Sequence, residues 1–343
     1  MVGAHRQPVA PMIALMLAVV FVAMMAAACG GDKRESVTVY SGRSQDLIGP
    51  ILERFSERSG VEVRVKYAST SELAATLLEE GGRSPADVYI AQDAGALGAV
   101  EAARMLAPLD GDLLERVPPP FRSATGRWVG LSGRARTVVY NTEQVDPADL
   151  PASILGFTDA RWKGKIGWAP ANGSFQAFMT ALRLVHGEEA AREWLEGISA
   201  NDPVEYPKNM PIVAAAGAGE IAVGFVNHYY LHRFLAEEGE GFKARNFYTA
   251  PGDVGTLINV AGAAILESSD SKDAADELLR FLLSEEAQRY FTEETYEYPL
   301  VEGVEAIADL RSIAELQPVQ LDLGRLEDLE GTLRLLRDTG VLP

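Results

Sequence analysis

Between Ser36 and Ile90 the apolar residues change period repeatedly, and this alternation restricts the fold more than any other property of the chain. Ser36-Val37-Thr38-Val39-Tyr40 alternates as a strand and ends in the turn Ser41-Gly42-Arg43-Ser44. From Leu47 to Ser59 the period becomes helical, with Ile48, Ile51, Leu52 and Phe55 on one face. Gly60 then stands where helices favour glycine. Residues 61–65 alternate as a second strand, Ser71 suits the N-cap of a helix over residues 72–80, and residues 85–90 read as a third strand. Strands separated by helices predict an α/β fold with a largely parallel sheet and helices on both faces. Ligands of such sheets bind beyond the carboxyl ends of strands, which marks residues 41–44 and Ala91-Gln92-Asp93-Ala94-Gly95.

The pattern continues through the middle of the chain. Residues 128–131 and 136–141 are strand-like, interrupted by Ser132-Gly133-Arg134, and residues 165–169 form another short strand. Asn172-Gly173-Ser174 precedes a helical run over residues 175–185, and Pro211 suits the first turn of a short helix. A strand over residues 220–226 runs directly into Asn227-His228-Tyr229-Tyr230. Residues 256–266 are an apolar strand region, and residues 273–291 read as one amphipathic helix. No internal repeat or low-complexity linker divides the sequence. Two lobes crossed by the chain more than once are expected.

Charge and motif content narrow the function. Thirty-one Lys+Arg against forty-nine Asp+Glu give a formal net charge of -18 without a basic run, which excludes a nucleic-acid partner. No phosphate loop and no dinucleotide fingerprint occur, and Gly130-Leu131-Ser132-Gly133 lacks the spacing of a nucleophile elbow. An enzyme, such as a surface-anchored hydrolase, is the weaker class. The single cysteine, Cys29, follows an apolar run over residues 12–28 that ends in Ala26-Ala27-Ala28, with Arg6 before it. That arrangement describes a secretory signal, and with Cys29 it resembles a bacterial lipoprotein signal. It implies cleavage after residue 28, lipidation of Cys29 and a tether over residues 29–36.

The chemically unusual feature is the pair Tyr229-Tyr230 at a strand end. In a strand the two rings would point to opposite faces, and in a helix they would diverge by about 100°. They converge most easily where a strand turns into a helix. Phenolate is a strong hard-oxygen donor, and only a strongly acidic cation such as Fe(III) removes two protons whose pKa is about 10. The bland alternative is packing, because Leu231 and Phe234 continue an apolar face. His228 and His232 lie four apart but lack the glutamate of a zinc-protease motif, so they read as two residues of a helix surface.

Several ordered stretches are similar to the periplasmic ferric-iron-binding proteins of bacterial ABC importers. They are Val39-Tyr40-Ser41-Gly42-Arg43, Pro85-Ala86-Asp87-Val88, the run from Leu131-Ser132-Gly133-Arg134 to Tyr140, Pro207-Lys208-Asn209, Val226-Asn227-His228-Tyr229-Tyr230 and Glu297-Tyr298-Pro299-Leu300. The resemblance implies a two-lobe periplasmic-binding-protein fold with a hinge and an interlobe cleft. Residues 37–134 and 260–305 would form the first lobe, and residues 135–259 and 306–343 the second. Tyr229 and Tyr230 would hold Fe(III), and Arg134, Asn172, Gly173, Ser174, Asn209 and Asn227 would line the pocket of a synergistic anion, carbonate or phosphate. Ser44 stands where many members have histidine, Gln92 where they often have glutamate, and Phe175 where some have a third tyrosine. Tyr40, Arg43, Ser44, Gln92 and Asp93 are therefore the possible first-lobe contacts. A relative that binds a phosphonate or thiamine-like anion is the alternative. The implied setting is the periplasm or the outer face of the cytoplasmic membrane, as a lipid-anchored monomer serving a membrane permease.

Overall fold

The computed structural model describes residues 35–307 and 310–343. The leader and Cys29 lie outside the described residues, as does all of the tether but Glu35 and Ser36. The strands are β1 (Ser36–Ser41), β2 (Glu62–Tyr67), β3 (Val88–Ala91), β4 (Val129–Asn141), β5 (Ile166–Trp168), β6 (Val204–Glu205), β7 (Val223–Asn227), β8 (Ala244–Phe247), β9 (Ile258–Ile265) and β10 (Tyr298–Pro299). The longer helices are α1 (Gln45–Ser59), α2 (Thr70–Glu80), α3 (Ala94–Ala102), α4 (Gly173–His186), α5 (Glu188–Ala200), α6 (Asn209–Ala218), α7 (Tyr229–Glu238), α8 (Lys272–Leu282), α9 (Glu285–Glu293) and α10 (Leu329–Asp338).

The strands run in the order β2-β1-β3-β9-β4-β7-β5-β6, with β8 and β10 also paired to β4. Parallel pairing holds where helices intervene, between β1 and its neighbours β2 and β3 and between β5 and its neighbours β6 and β7. The centre is antiparallel, with β9 lying between β3 and β4 and β7 on the far side of β4. The largely parallel expectation thus holds only toward the edges. Strand β4 joins the two halves of the sheet. It pairs with β9 up to Ala135↔Ile258 and with β7 from Arg136↔Asn227 onward. The chain is therefore a two-lobed α/β protein with β4 shared between the lobes.

Local chemistry explains where elements differ from the sequence pattern. Ser132-Gly133-Arg134 does not interrupt β4; all 13 residues are buried, with a bulge between Gly130 and Ser132. Gly133 is needed there because a Cβ would lie 3.1 Å from Cβ of Tyr298 on β10. The cap of α2 is Ser69 and not Ser71, since Ser69 Oγ accepts the Glu72 N–H at 3.2 Å. The expected helix over residues 273–291 is two helices. Ser284 starts the second by accepting the Ala287 N–H, and Gln288 Nε2 donates to the Leu282 carbonyl left at the end of the first. The second half is cored by Phe157, Phe175, Phe178, Trp194 and Phe225, whose rings meet at 5.4–6.2 Å. Phe175 is thus a core residue, and each such burial is worth about 1.5–3 kcal/mol.

The C-terminal residues divide between the halves. A 3-10 turn over Leu323–Glu327 lies on α3, so closely that a Cβ at Gly95 would be 2.5 Å from the Leu326 carbonyl and one at Gly98 2.4 Å from that of Gly324. Helix α10 instead lies on α4, where Thr180 and Thr332 share a hydroxyl hydrogen bond of 2.7 Å and Arg183 pairs with Asp328 at 3.0 Å. The stretch 306–343, expected in the second lobe, thus reaches both halves. Gly98→Ala would gain up to about 1 kcal/mol of helix propensity. The clash with a backbone carbonyl is the larger effect, and a net loss of about 1–3 kcal/mol is expected in urea unfolding. Unchanged or increased stability would show that the turn is not held against α3.

Candidate functional site

Strand β7 is buried throughout, and its last residue, Asn227, leads through His228 into α7. This is the turn at which both tyrosines can face one point. The rings of Tyr229 and Tyr230 lie 4.2 Å apart, inclined at 32°. Burial pushes the Tyr229 phenol well above its usual pKa, its neighbour Tyr230 adds to this, and Arg134 opposes both. Tyr229 is therefore held as a neutral phenol, and a positive charge would have to displace its proton.

Opposite them β4 presents Arg134 and Arg136, two residues apart and hence on one face. Both are about 4% exposed. Arg134 Nε has no hydrogen-bond partner. Arg136 reaches Ser174 Oγ at 3.3 Å and Asn227 Oδ1 at 3.4 Å, with its guanidinium 5.4 Å above the Phe178 ring. Burial lowers its pKa to about 9, and the charged forms of Tyr230 and Tyr229 would raise it. A buried guanidinium with an unmade hydrogen bond is a strong anion attractor.

The third wall is the start of α4. Asn172 caps it, its Oδ1 accepting the Ser174 N–H at 3.0 Å and the Ser174 hydroxyl at 2.6 Å. Asn209, at the start of α6, donates to Ser174 Oγ at 3.2 Å. Gly173 keeps that helix terminus open, with nothing within 4 Å of an added Cβ. Its backbone N–H groups add positive potential. From the first half come Gln92 and Asp93. Asp93 caps α3 by accepting the Ala96 N–H at 3.0 Å; burial raises its pKa, while the Ala96 N–H, Arg134 and the Gly95 N–H lower it. Gln92 Oε1 has no partner. Together these groups line one cavity of about 640 Å³.

The structure thus gathers Tyr229, Tyr230, Arg134, Asn172, Gly173, Ser174, Asn209, Asn227, Gln92 and Asp93 around a single space. Three expected first-lobe contacts do not line it. The Tyr40 hydroxyl donates to Glu80 Oε1 at 3.0 Å, and Ser44 is exposed ahead of α1. Arg43 is fully enclosed in a bidentate pair with Glu297 at 3.0 and 3.1 Å, also touching Ser132 Oγ. Its carboxylate partner is distant in sequence, so nothing local signals that the charge is already matched. Arg136 and Asn259 also line the cavity and were not among the expected site residues. Alternation within β4 carries the signal for Arg136, because a strand that aims Arg134 at a cleft aims Arg136 there too. His228 and His232 are buried rather than on a helix surface. Among the described residues no group of three or more His, Cys, Asp or Glu could hold a metal, so a cation here would rely on the phenols.

A cleft between two α/β halves, lined by buried arginines, amide donors and a helix N-terminus, is the binding site of a small solute. The model of the bacterial extracellular solute-binding protein family matches residues 83–320, and the chain belongs to that family. The "Major ferric iron-binding protein" of Neisseria meningitidis is 35% identical over 311 residues, covering 89% of this chain and 93% of the relative. Iron-bound HitA from Pseudomonas aeruginosa is 33% identical with a TM-score of 0.84, covering 89% of this chain and 99% of that one. A Trichodesmium protein solved with iron and citrate is 27% identical with a TM-score of 0.77, covering 89% and 99%.

The enclosed Arg43–Glu297 pair gives a stability test. Glu297→Leu strands a buried guanidinium and is expected to cost about 3–5 kcal/mol in urea unfolding. Combining it with Arg43→Met should recover much of that loss. A double variant less stable than Glu297→Leu alone would contradict the pairing.

Proposed function

We propose that the cleft binds Fe(III) with a small synergistic anion and that the protein delivers this cargo to the permease of an ABC importer. The observation that carries the reading is the tyrosine pair, 4.2 Å apart, facing two buried arginines. Two phenolates reduce a trivalent cation to a charge of about +1, and the adjoining guanidiniums add positive charge that an anion must balance. Carbonate or phosphate suits the planar fork of Arg134, the Ser174 region and the amides of Asn209 and Asn227. The names of the Neisseria and Pseudomonas proteins support iron as the cargo. Closure of the first lobe (residues 37–134 and 260–305) on the second, about β4 and β9, would bring Gln92 and Asp93 to the ligand. The protein would act as a monomer in the periplasm or at the outer face of the cytoplasmic membrane.

Iron titrated into the protein in bicarbonate is expected to give a visible tyrosinate-to-iron band. Tyr229→Phe or Tyr230→Phe keeps the ring and removes a ligand, so affinity should fall by more than the roughly 10–100-fold that loss of a supporting partner costs. Arg134→Ala should weaken iron binding by a defect that shrinks as bicarbonate rises. A wild-type protein that stays colourless but binds a phosphonate or thiamine-like compound would replace iron by an organic anion.

Anchoring is tested separately. Lipidation at Cys29 predicts that Cys29→Ser leaves the precursor unprocessed or releases the protein from the membrane. Normal processing with full membrane retention would refute it.

A further inference from the structure

His228 is a residue whose polar groups are all engaged. Its backbone N–H donates to the Ala135 carbonyl at 3.0 Å, and its carbonyl accepts from Asn246 Nδ2 at 2.9 Å. On the ring, Nδ1 accepts the Ala135 N–H at 3.1 Å, so Nε2 carries the proton and donates to the Tyr296 carbonyl at 2.8 Å. The ring packs 4.7 Å from that of Tyr298 and edge-on to Tyr229 at 5.8 Å. It is wholly buried.

On the β7 edge of β4, Ala135 falls between the end of the β10 pairing at Gly133↔Tyr298 and the start of the β7 pairing at Arg136↔Asn227, and it lies between Arg134 and Arg136. The exchange of partners would leave its N–H without a strand acceptor, and the imidazole fills that place. One side chain therefore fixes the arginine-bearing strand against the residue that begins the tyrosine turn. The same ring holds Tyr296, a non-glycine residue at φ +59°, next to the Glu297 that pairs with Arg43.

We infer that His228 is a positioning residue for the cleft, setting the separation between the tyrosine pair and the two arginines by clamping Ala135 while tying both to the segment 296–298. The inference rests on the metal–anion reading proposed above. It requires that a substitution keeping an acceptor at the Nδ1 position preserve the site, and that one lacking it weaken the anion even in folded protein.

The test uses the full chain with His228→Asn, His228→Gln and His228→Leu. Asn can place its Oδ1 where Nδ1 accepts from Ala135, whereas Gln reaches toward Tyr296 and Leu does neither. Melting of the iron-free protein fixes a temperature at which every folded variant is native. There the half-saturating bicarbonate concentration for the tyrosinate band is measured, together with phosphate affinity without iron. Asn is expected within about threefold of wild type, and Gln and Leu weaker by about tenfold or more, the scale of one buried donor left unpaired. Equal values for Asn and Gln, or wild-type values for Gln, would overturn the inference. Should Leu fail to fold, the Asn–Gln comparison decides. Should wild type give no band, the iron reading fails, and the order of phosphate affinities still decides the role of His228.

Discussion

The exchange of partners along β4 is the constraint on which the rest of the molecule depends. A strand buried over 13 residues cannot leave backbone groups unpaired, so whatever it passes must supply donors and acceptors. Up to Ala135 these come from β9 on one edge and β10 on the other, and beyond Arg136 from β8 and β7. At the junction the two halves of the sheet are nearest to independent. The ligand-facing arginines stand on either side of it. Placing cationic groups at a seam keeps them close to both walls of the cleft without committing them to a partner in either.

The buried Arg43 has its charge matched by a carboxylate, and the contrast with the cleft is informative. Arg43 and Glu297 satisfy one another bidentately in the first half. Arg134, whose Nε like that of Arg43 lacks a partner, has no carboxylate in ion-pair contact among the described residues, and Arg136 meets only neutral acceptors at 3.3 and 3.4 Å. Unmatched cations inside a protein are costly. Their location beside an open cavity, with the tyrosine pair opposite, suits the anion proposed above. The same preference explains why amides and helix N–H groups, rather than further carboxylates, surround Ser174.

Much of this was readable from the residues. The period change at Asn227 placed both tyrosines at a strand-to-helix turn, and the Asn172-Gly173-Ser174 cap announced a helix start, with the Ser174 N–H taken by Asn172 itself. Short-range capping was less secure, since Ser69 and Ser71 both satisfy the rule and only the chain path chooses between them. The break between α8 and α9 was hidden because both helices keep an apolar face in register across Ser284. Arg43 was unreadable for a different reason. Its role is fixed by Glu297, and no local pattern connects residues so far apart.

The short link between the Leu323–Glu327 turn and α10 bears on how wide the molecule can gape. Its two ends are fastened, at Leu326 against Gly95 of one half and at Asp328 to Arg183 of the other. Two residues of extended chain reach about 7 Å. Should the halves rotate about β4 and β9 as proposed, the link would work like a door chain, stopping the opening once its two attachments are drawn taut. The widest mouth a ligand could meet would then be set by chain length and not by any side chain that lines it.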